Sequence, residues 1–273
     1  MRTCVSVKAE PTLFALSGLK LLLGTALCVC VTISSLADTV LVGTENIQYY
    51  PHYGKRSQDS KQFQGYAREL LDRFFEQQGI QVKYPSLPVK RLYHQFFNSQ
   101  ELDFKYPDNA QWAPQIRTRH KVVYSEPVGH YIDGVMVLEK YLNHGLGRIK
   151  KMGILRGFTP ESFFQEIESG DILITEYARS SEILKALQQE RIDGAYLNVD
   201  VALYQIELSL GGESDIVFDP TLPYTQGAYR LSSIRRHDII EKLNRFLAEN
   251  TKFQKQLSTK YNLSKRLPQN TTN

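Results

Sequence analysis

The chain has 273 residues, of which 42% are hydrophobic and 23% charged, so it can bury a globular core. Its 33 Lys and Arg residues exceed its 29 Asp and Glu residues by only four, which gives no reason to expect nucleic-acid binding. All three cysteines lie near the N-terminus, and none occurs in the remainder of the chain to form a disulfide.

The N-terminal segment has the residue order of a secretory signal. Three basic residues precede an uncharged apolar run over residues 21–33, and small residues follow it. We therefore predict a signal peptide over residues 1–37, with cleavage after Ala37 and a mature protein in the periplasm. A retained membrane anchor and a lipid attached to Cys28 are the alternatives.

Strands and helices alternate in the first half of the mature chain. The predicted strands are 39–43, 82–84, 102–106 and 122–124, and the predicted helices are 66–75 and 89–98. Tyr66, Leu70 and Phe74 recur at helical spacing, and Gly79 ends this helix. This βαβαβ order predicts a parallel or mixed sheet with helices on its faces.

The same order restarts after a predicted crossover at residues 134–138. The predicted strands are 152–155, 172–175 and 192–197, and the predicted helices start at Pro160, near Ser181 and at Val199. Thr159 suits the N-cap and Pro160 the first position of one of these helices. A strand at 227–231 then leads into an amphipathic helix around Leu243. Two similar lobes are therefore predicted.

Several short motifs occur in an order and spacing typical of one known family. They are residues 40–44 followed by Tyr50-Pro51, Gln64-Gly65-Tyr66, Leu102-Asp103, an arginine before Tyr124-Ser125-Glu126-Pro127, Arg156-Gly157-Phe158-Thr159, and residues 191–195. Through these motifs nearly the whole mature chain resembles the bacterial extracellular solute-binding proteins of family 3. That family consists of periplasmic receptors that serve amino-acid importers.

The resemblance implies an α/β, two-lobed periplasmic-binding-protein fold. Each lobe would be a mixed sheet flanked by helices, and two crossing strands would join the lobes. The first lobe would comprise residues 38–134 and 226–273, the second residues 135–225. The ligand would lie in the cleft between the lobes, beyond the carboxyl ends of the strands.

The resemblance also implies an arginine that holds the ligand carboxylate, because a planar guanidinium binds a carboxylate with two hydrogen bonds. Arg117 and Arg119 are both candidates, with Arg117 favoured, and two solvated surface charges are the alternative. Arg156, Gly157 and Thr159 would form an anion site at a helix start, or simply an ordinary capped helix.

This chain departs from the family where an aspartate commonly holds the ligand's ammonium group. It has Asn198 there, with Asp200 two residues later. Either Asp200 substitutes for the missing aspartate, or the ligand is not a standard α-amino acid.

The segment after the third strand is a second departure. It contains Asp108, Asn109 and Trp112, which we include among the candidate ligand-binding residues. Trp112 could cover an apolar or cationic part of a ligand, with Tyr50 and neighbouring tyrosines as the opposite wall. The alternative is that these aromatic residues pack beneath a loop.

The sequence contains no motif for a metal, a dinucleotide or a catalytic nucleophile, so we predict no cofactor and no reaction. We predict a monomer that captures a small polar solute, such as an amino acid or related carboxylate, for an ABC-type importer permease. The first alternative is a sensor subunit for a membrane signalling receptor. The second is a dehydratase-like enzyme with Asp108, Glu45 or Asp200 as general acid.

Overall fold

The computed structural model describes residues 39–57, 60, 63–209, 211 and 214–263. The predicted signal peptide, residues 1–37, lies outside these ranges. None of the helices in the described residues is both long enough and apolar enough to cross a membrane.

Strands and helices alternate along the described chain. The strands are β1 (Thr39–Glu45), β2 (Gln48–Tyr49), β3 (Tyr53–Gly54), β4 (Gln81–Lys83), β5 (Ser86–Leu87), β6 (Phe104–Asp108), β7 (Val123–Tyr124), β8 (Gly129–Leu138), β9 (Lys151–Leu155), β10 (Leu173–Tyr177), β11 (Gly194–Asn198), β12 (Ile216–Phe218) and β13 (Thr225–Ser233). The α-helices are α1 (Tyr66–Gln77), α2 (Val89–Tyr93), α3 (Pro114–Arg117), α4 (Phe164–Glu168), α5 (Ser180–Gln188), α6 (Val199–Ser209), α7 (His237–Glu249) and α8 (Thr251–Lys260). A π-helical turn (His94–Asn98) extends α2, and short 3₁₀ turns occupy Glu139–Tyr141, Leu146–Arg148 and Glu161–Phe163.

The main sheet is mixed and has the strand order β10-β9-β11-β8-β13-β6-β1-β4. In its first half β1 is parallel to β4 and β6, and in its second half β9 is parallel to β10 and β11. The two longest strands, β8 and β13, are antiparallel neighbours in the middle and connect the halves. This arrangement confirms the predicted α/β fold with two crossing strands.

We call the half that contains β1, β4, β5, β6 and β7 the first lobe, and the half that contains β9 to β12 the second lobe. Side chains from α1 and α7, such as Phe74 and Phe246, share one buried cluster with β1 in the first lobe. Burial of each such aromatic side chain contributes about 1.5–3 kcal/mol. In the second lobe, α5, α6 and β11 bury a separate cluster that includes Ile183 and Ala195. The exact residues at which each lobe ends stay a prediction.

The helix predicted to start at Pro160 does not start there. Pro160 has a ψ of 75°, which is not helical, and the Glu161 N–H donates to the Thr159 carbonyl 2.9 Å away. The chain then forms the 3₁₀ turn Glu161–Phe163, and α4 begins only at Phe164. Thr159 therefore does not act as the predicted N-cap, and no side chain caps either helical segment.

The third strand lies two residues later than predicted, at Phe104–Asp108. All five of its residues are buried, including Lys105 and Asp108, neither of which is accessible to solvent. Asp108, predicted to lie in the segment after the third strand, is therefore the last residue of that strand.

Candidate functional site

A cavity of about 360 Å³ lies between the two lobes, and we call it the interlobe cavity. The first lobe lines it with Asn46, Ile47, Gln48, Tyr49 and Lys55, and the second lobe with Leu155, Arg156, Phe158, Ala178, Arg179 and Ser180. These residues follow the carboxyl ends of β1, β9 and β10, where ligands bind in open α/β sheets. The volume falls within the range of small-molecule sites.

A second cavity of about 580 Å³ lies along β8 and β13, and we call it the hinge groove. Two of the predicted site residues, Asn109 and Asp200, line it together with His130 and Arg230. The groove runs along the crossing strands, and it is also lined by Asn109, directly after the carboxyl end of β6, and by Val199, directly after that of β11. Strand topology therefore does not separate the two cavities, and the cationic side chains that line the interlobe cavity favour it as the ligand site.

Aromatic rings connect the interlobe cavity to the crossing strands. The ring of Tyr49 stacks on Phe158 of the other lobe, with centroids 5.9 Å apart, and lies 4.9 Å from Tyr53. Tyr229 on β13 contacts Tyr49 at 6.5 Å and Trp112 at 6.3 Å. Trp112 thus packs against the aromatic cluster and does not line the interlobe cavity.

Asp108 and Arg117 form a buried ion pair. The Arg117 guanidinium donates to both carboxylate oxygens of Asp108, at 3.0 and 2.5 Å, and also to the Tyr124 hydroxyl and the Trp112 carbonyl. Lys105 and Ser232 donate to the same carboxylate. Burial alone would raise the pKa of Asp108, but the Lys105 and Arg117 charges hold it below its usual value.

The bidentate partner of Arg117 is therefore Asp108, a residue of the same lobe. In the described form, this guanidinium is bonded to Asp108. That Arg117 binds a ligand carboxylate therefore stays a prediction. Arg119 is exposed, as expected for a solvated surface charge. Neither arginine lines the interlobe cavity.

Asn198 is buried at the end of β11, and its side chain forms hydrogen bonds to two other elements. Its side-chain oxygen accepts from the Val201 N–H at the start of α6, and its amide nitrogen donates to Asp133 on β8 at 3.2 Å. Burial raises the pKa of the Asp133 carboxyl to about 7, even though donation from Asn198 lowers it. A carboxyl with this pKa changes its charge near neutral pH.

Asp200 and Tyr50 lie at contacts between the lobes. The imidazole Nε2 of His52 lies 3.1 Å from the Asp200 carboxylate, without the angles of a hydrogen bond. Tyr50 packs on Tyr204 of α6 with ring centroids 4.6 Å apart. The described form of the protein is therefore one in which the lobes touch.

Of the predicted anion site, Arg156 lines the interlobe cavity, whereas Gly157 and Thr159 are exposed and do not. Gly157 has a φ of 81°, which glycine adopts without strain. The five-residue helix α4 that follows presents no cap beside them. Of the three residues predicted to form the anion site, only Arg156 thus lies at the cavity.

No protein-family model matches the chain, and no curated protein matches it by sequence. Solved structures do match it. One is an arginine transport system periplasmic binding protein from Legionella pneumophila, with 15% identity, a TM-score of 0.60, and coverage of 82% of this chain and 100% of that one. Another is a histidine kinase sensor domain with similarity to periplasmic binding proteins, with 16% identity, a TM-score of 0.64, and coverage of 82% and 96%.

A third similar structure is an ancestral amino-acid-binding protein described as a precursor of cyclohexadienyl dehydratase. It shares 16% identity with this chain at a TM-score of 0.60, with coverage of 82% of this chain and 94% of that one. The chain has the periplasmic-binding-protein fold. The fold expected from the sequence motifs is thereby confirmed.

Several cavity residues of this periplasmic-binding-protein fold were not among those predicted from the sequence. Lys55 and Arg179 lie in connecting segments and Ser180 is the first residue of α5, and no local pattern in the sequence marks them. The start of α5 shortly after a strand was the one available signal, because helix N-termini there face the cleft. Within the described ranges, no group of three His, Cys, Asp or Glu side chains is positioned to hold a metal ion.

Proposed function

We propose that this protein is a periplasmic solute-binding protein that captures a small polar solute in the interlobe cavity. The observation that carries the proposal is the cavity itself, which both lobes line at the carboxyl ends of their strands. A solute there would contact both lobes only when they are closed, so binding would favour the closed form. The predicted signal peptide supports a periplasmic location.

For the downstream partner, we propose an ABC-type importer in the membrane. Similarity to a transport-system binding protein supports this choice. A signalling receptor is the second candidate, since the similarity to a histidine kinase sensor domain is at least as high, with TM-scores of 0.64 and 0.60. Both partners would recognise the closed, solute-bound form.

We propose binding without a chemical reaction. The most buried acid of the predicted general-acid candidates, Asp108, already has its carboxylate bonded to Arg117 and Ser232. Similarity to a precursor of cyclohexadienyl dehydratase favours one direct check. Incubation of the purified protein with prephenate or arogenate should leave the substrate unchanged.

The deciding experiment identifies the solute. Protein purified from the periplasm would be mildly denatured, and the released small molecules identified by mass spectrometry. We expect one polar solute, which rebinds to the refolded protein in calorimetry at one site per chain. Failure to find any solute that binds would contradict the proposal.

A second experiment separates the two partners. A strain that lacks the gene would be assayed for uptake of the identified solute. Lost uptake supports the importer. Normal uptake, together with capture of a membrane kinase or cyclase by the solute-loaded protein, supports the sensor.

A further inference from the structure

Helix α5 begins at the wall of the interlobe cavity. It spans nine residues from Ser180, three residues after the end of β10, and its N-cap Arg179 makes no side-chain cap hydrogen bond. Among the described residues no acceptor bonds to the N–H groups of Ser180 or Ser181, and the first turn bonds only from Glu182 onward. Unbonded N–H groups at a helix N-terminus carry partial positive charge and attract anions.

The Ser180 side chain is a second, independent observation at the same place. Ser180 lines the cavity, is only 6% exposed, and its hydroxyl has no hydrogen-bond partner among the described residues. Buried hydroxyl groups are nearly always bonded, so an unbonded one needs an explanation. An acceptor atom of a bound solute would supply the missing partner.

The charges that line the cavity have one sign. Lys55, Arg156 and Arg179 line it, and no Asp or Glu does. The nearest acid partners are Glu176, 3.8 Å from Arg156, and Glu182, 3.4 Å from Arg179. Both pairs are largely exposed and long, so they are weak. Lys55 has no carboxylate within ion-pair distance in the described part of the chain.

We propose that this N-terminus, with the Ser180 hydroxyl and the Lys55, Arg156 and Arg179 side chains, binds the oxyanion groups of a doubly charged solute, such as a dicarboxylate or a phosphate monoester. The proposal rests on the proposed solute-binding function and names the class of solute. Three cations beside free N–H groups favour two negative charges over one. Arg117 does not compete for this role, because it is bonded to Asp108.

Calorimetry with succinate, inorganic phosphate, glutamine and arginine tests the proposal. We expect succinate or phosphate to bind, more weakly as salt rises, and to raise the unfolding temperature. Ser180→Ala and Arg179→Gln should each weaken that binding roughly tenfold, since each removes one bond to a charged group. Lys185→Gln is the matched control, because it removes one charge from an exposed residue of the same helix.

Each other outcome has a defined meaning. If succinate and phosphate give neither heat nor a shift in unfolding temperature, the anion site is wrong. If glutamine or arginine binds equally well to wild type and Ser180→Ala, solute binding stands and the anion site is again wrong. If Lys185→Gln weakens anion binding as much as Arg179→Gln does, the loss reflects the net charge of the protein. The assignment of Arg179 to the anion site is then wrong. Unfolding temperatures near wild type exclude misfolding of the variants.

Discussion

The guanidinium of Arg117 and the carboxylate of Asp108 are bonded through both oxygens, at 3.0 and 2.5 Å, inside the first lobe. Removal of the arginine would leave a buried carboxylate with one cation, Lys105, instead of two. Truncating one partner of a buried ion pair commonly costs about 3–5 kcal/mol.

We therefore predict that Arg117→Ala lowers the free energy of unfolding by about 3–5 kcal/mol. The exposed Arg119 is the control, and Arg119→Ala should change it by less than about 0.5 kcal/mol. Urea unfolding measures both. A normally stable Arg117→Ala variant that binds its solute poorly would instead support the ligand clamp predicted from the sequence.

The second prediction concerns Asp133. Burial raises the pKa of its carboxyl group from 3.8 to about 7. Between these pH values the folded protein holds a proton that the unfolded chain has lost. The contribution of this group to stability is therefore full below about pH 4 and is lost as the pH rises through about 7. Asp133→Asn, which cannot ionise, should be more stable than wild type at pH 8 by on the order of 2 kcal/mol.

Urea unfolding at pH 5 and pH 8 checks this difference. The exposed Asp215 provides the control, and Asp215→Asn should follow wild type at both values. Equal losses of stability for wild type and Asp133→Asn between the two pH values would show that the Asp133 carboxyl titrates as in the unfolded chain.

The third prediction concerns closure of the lobes. Tyr204 on α6 packs on the Tyr50 ring and accepts a hydrogen bond from Arg56 at 3.4 Å, so it joins the second lobe to the first. Tyr204→Ala removes both contacts and should shift the population toward the open form, because it weakens only the closed one.

Small-angle X-ray scattering without added solute should show a larger radius of gyration for Tyr204→Ala than for wild type. Phe164→Ala, at a 50% exposed aromatic residue of the second lobe, should leave the radius unchanged. An equal radius for all three proteins would mean that these contacts do not hold the lobes together.

The fourth prediction concerns the packing of α5 against its sheet. A methyl group at Gly153 on β9 would lie 2.7 Å from Ile192 and 2.8 Å from Ile183 of α5. Gly153→Ala should cost about 1–3 kcal/mol, since overpacking displaces the helix. At Gly147 no atom lies within 4 Å of such a methyl group, and Gly147→Ala should be nearly neutral. Thermal unfolding of the two variants measures the contrast.

Much of the fold was predictable because its long elements bury one face. The spacing of Tyr66, Leu70 and Phe74 places α1 correctly, and the apolar run on β1 places the first strand. The start of α4 was not predictable from its favourable residues. Thr159 and Pro160 suit a helix start in isolation, yet the backbone at Pro160 leaves the helical region in the folded chain.

The candidate site was harder to predict because its residues are far apart in the sequence. Asp108 and Arg117 have the chemistry of ligand contacts, and only the folded chain shows that they contact each other. Lys55 and Ser180 are 125 positions apart in the sequence and become neighbours of one cavity when the lobes meet. No spacing rule along a single strand or helix connects such residues.

Helices α7 and α8 pack with α1 in the first lobe, although the whole second lobe separates them from α1 in the sequence. The buried cluster of the first lobe thus depends on partners more than 150 residues apart, whereas that of the second lobe is contiguous. Long-range contacts form slowly because their loops must close first. In a chain synthesised from its N-terminus, the core of the first lobe would therefore be completed only after residues 237–260 have emerged, later than the core of the second lobe. Until then the apolar side chains of α1 would lack part of their packing partners.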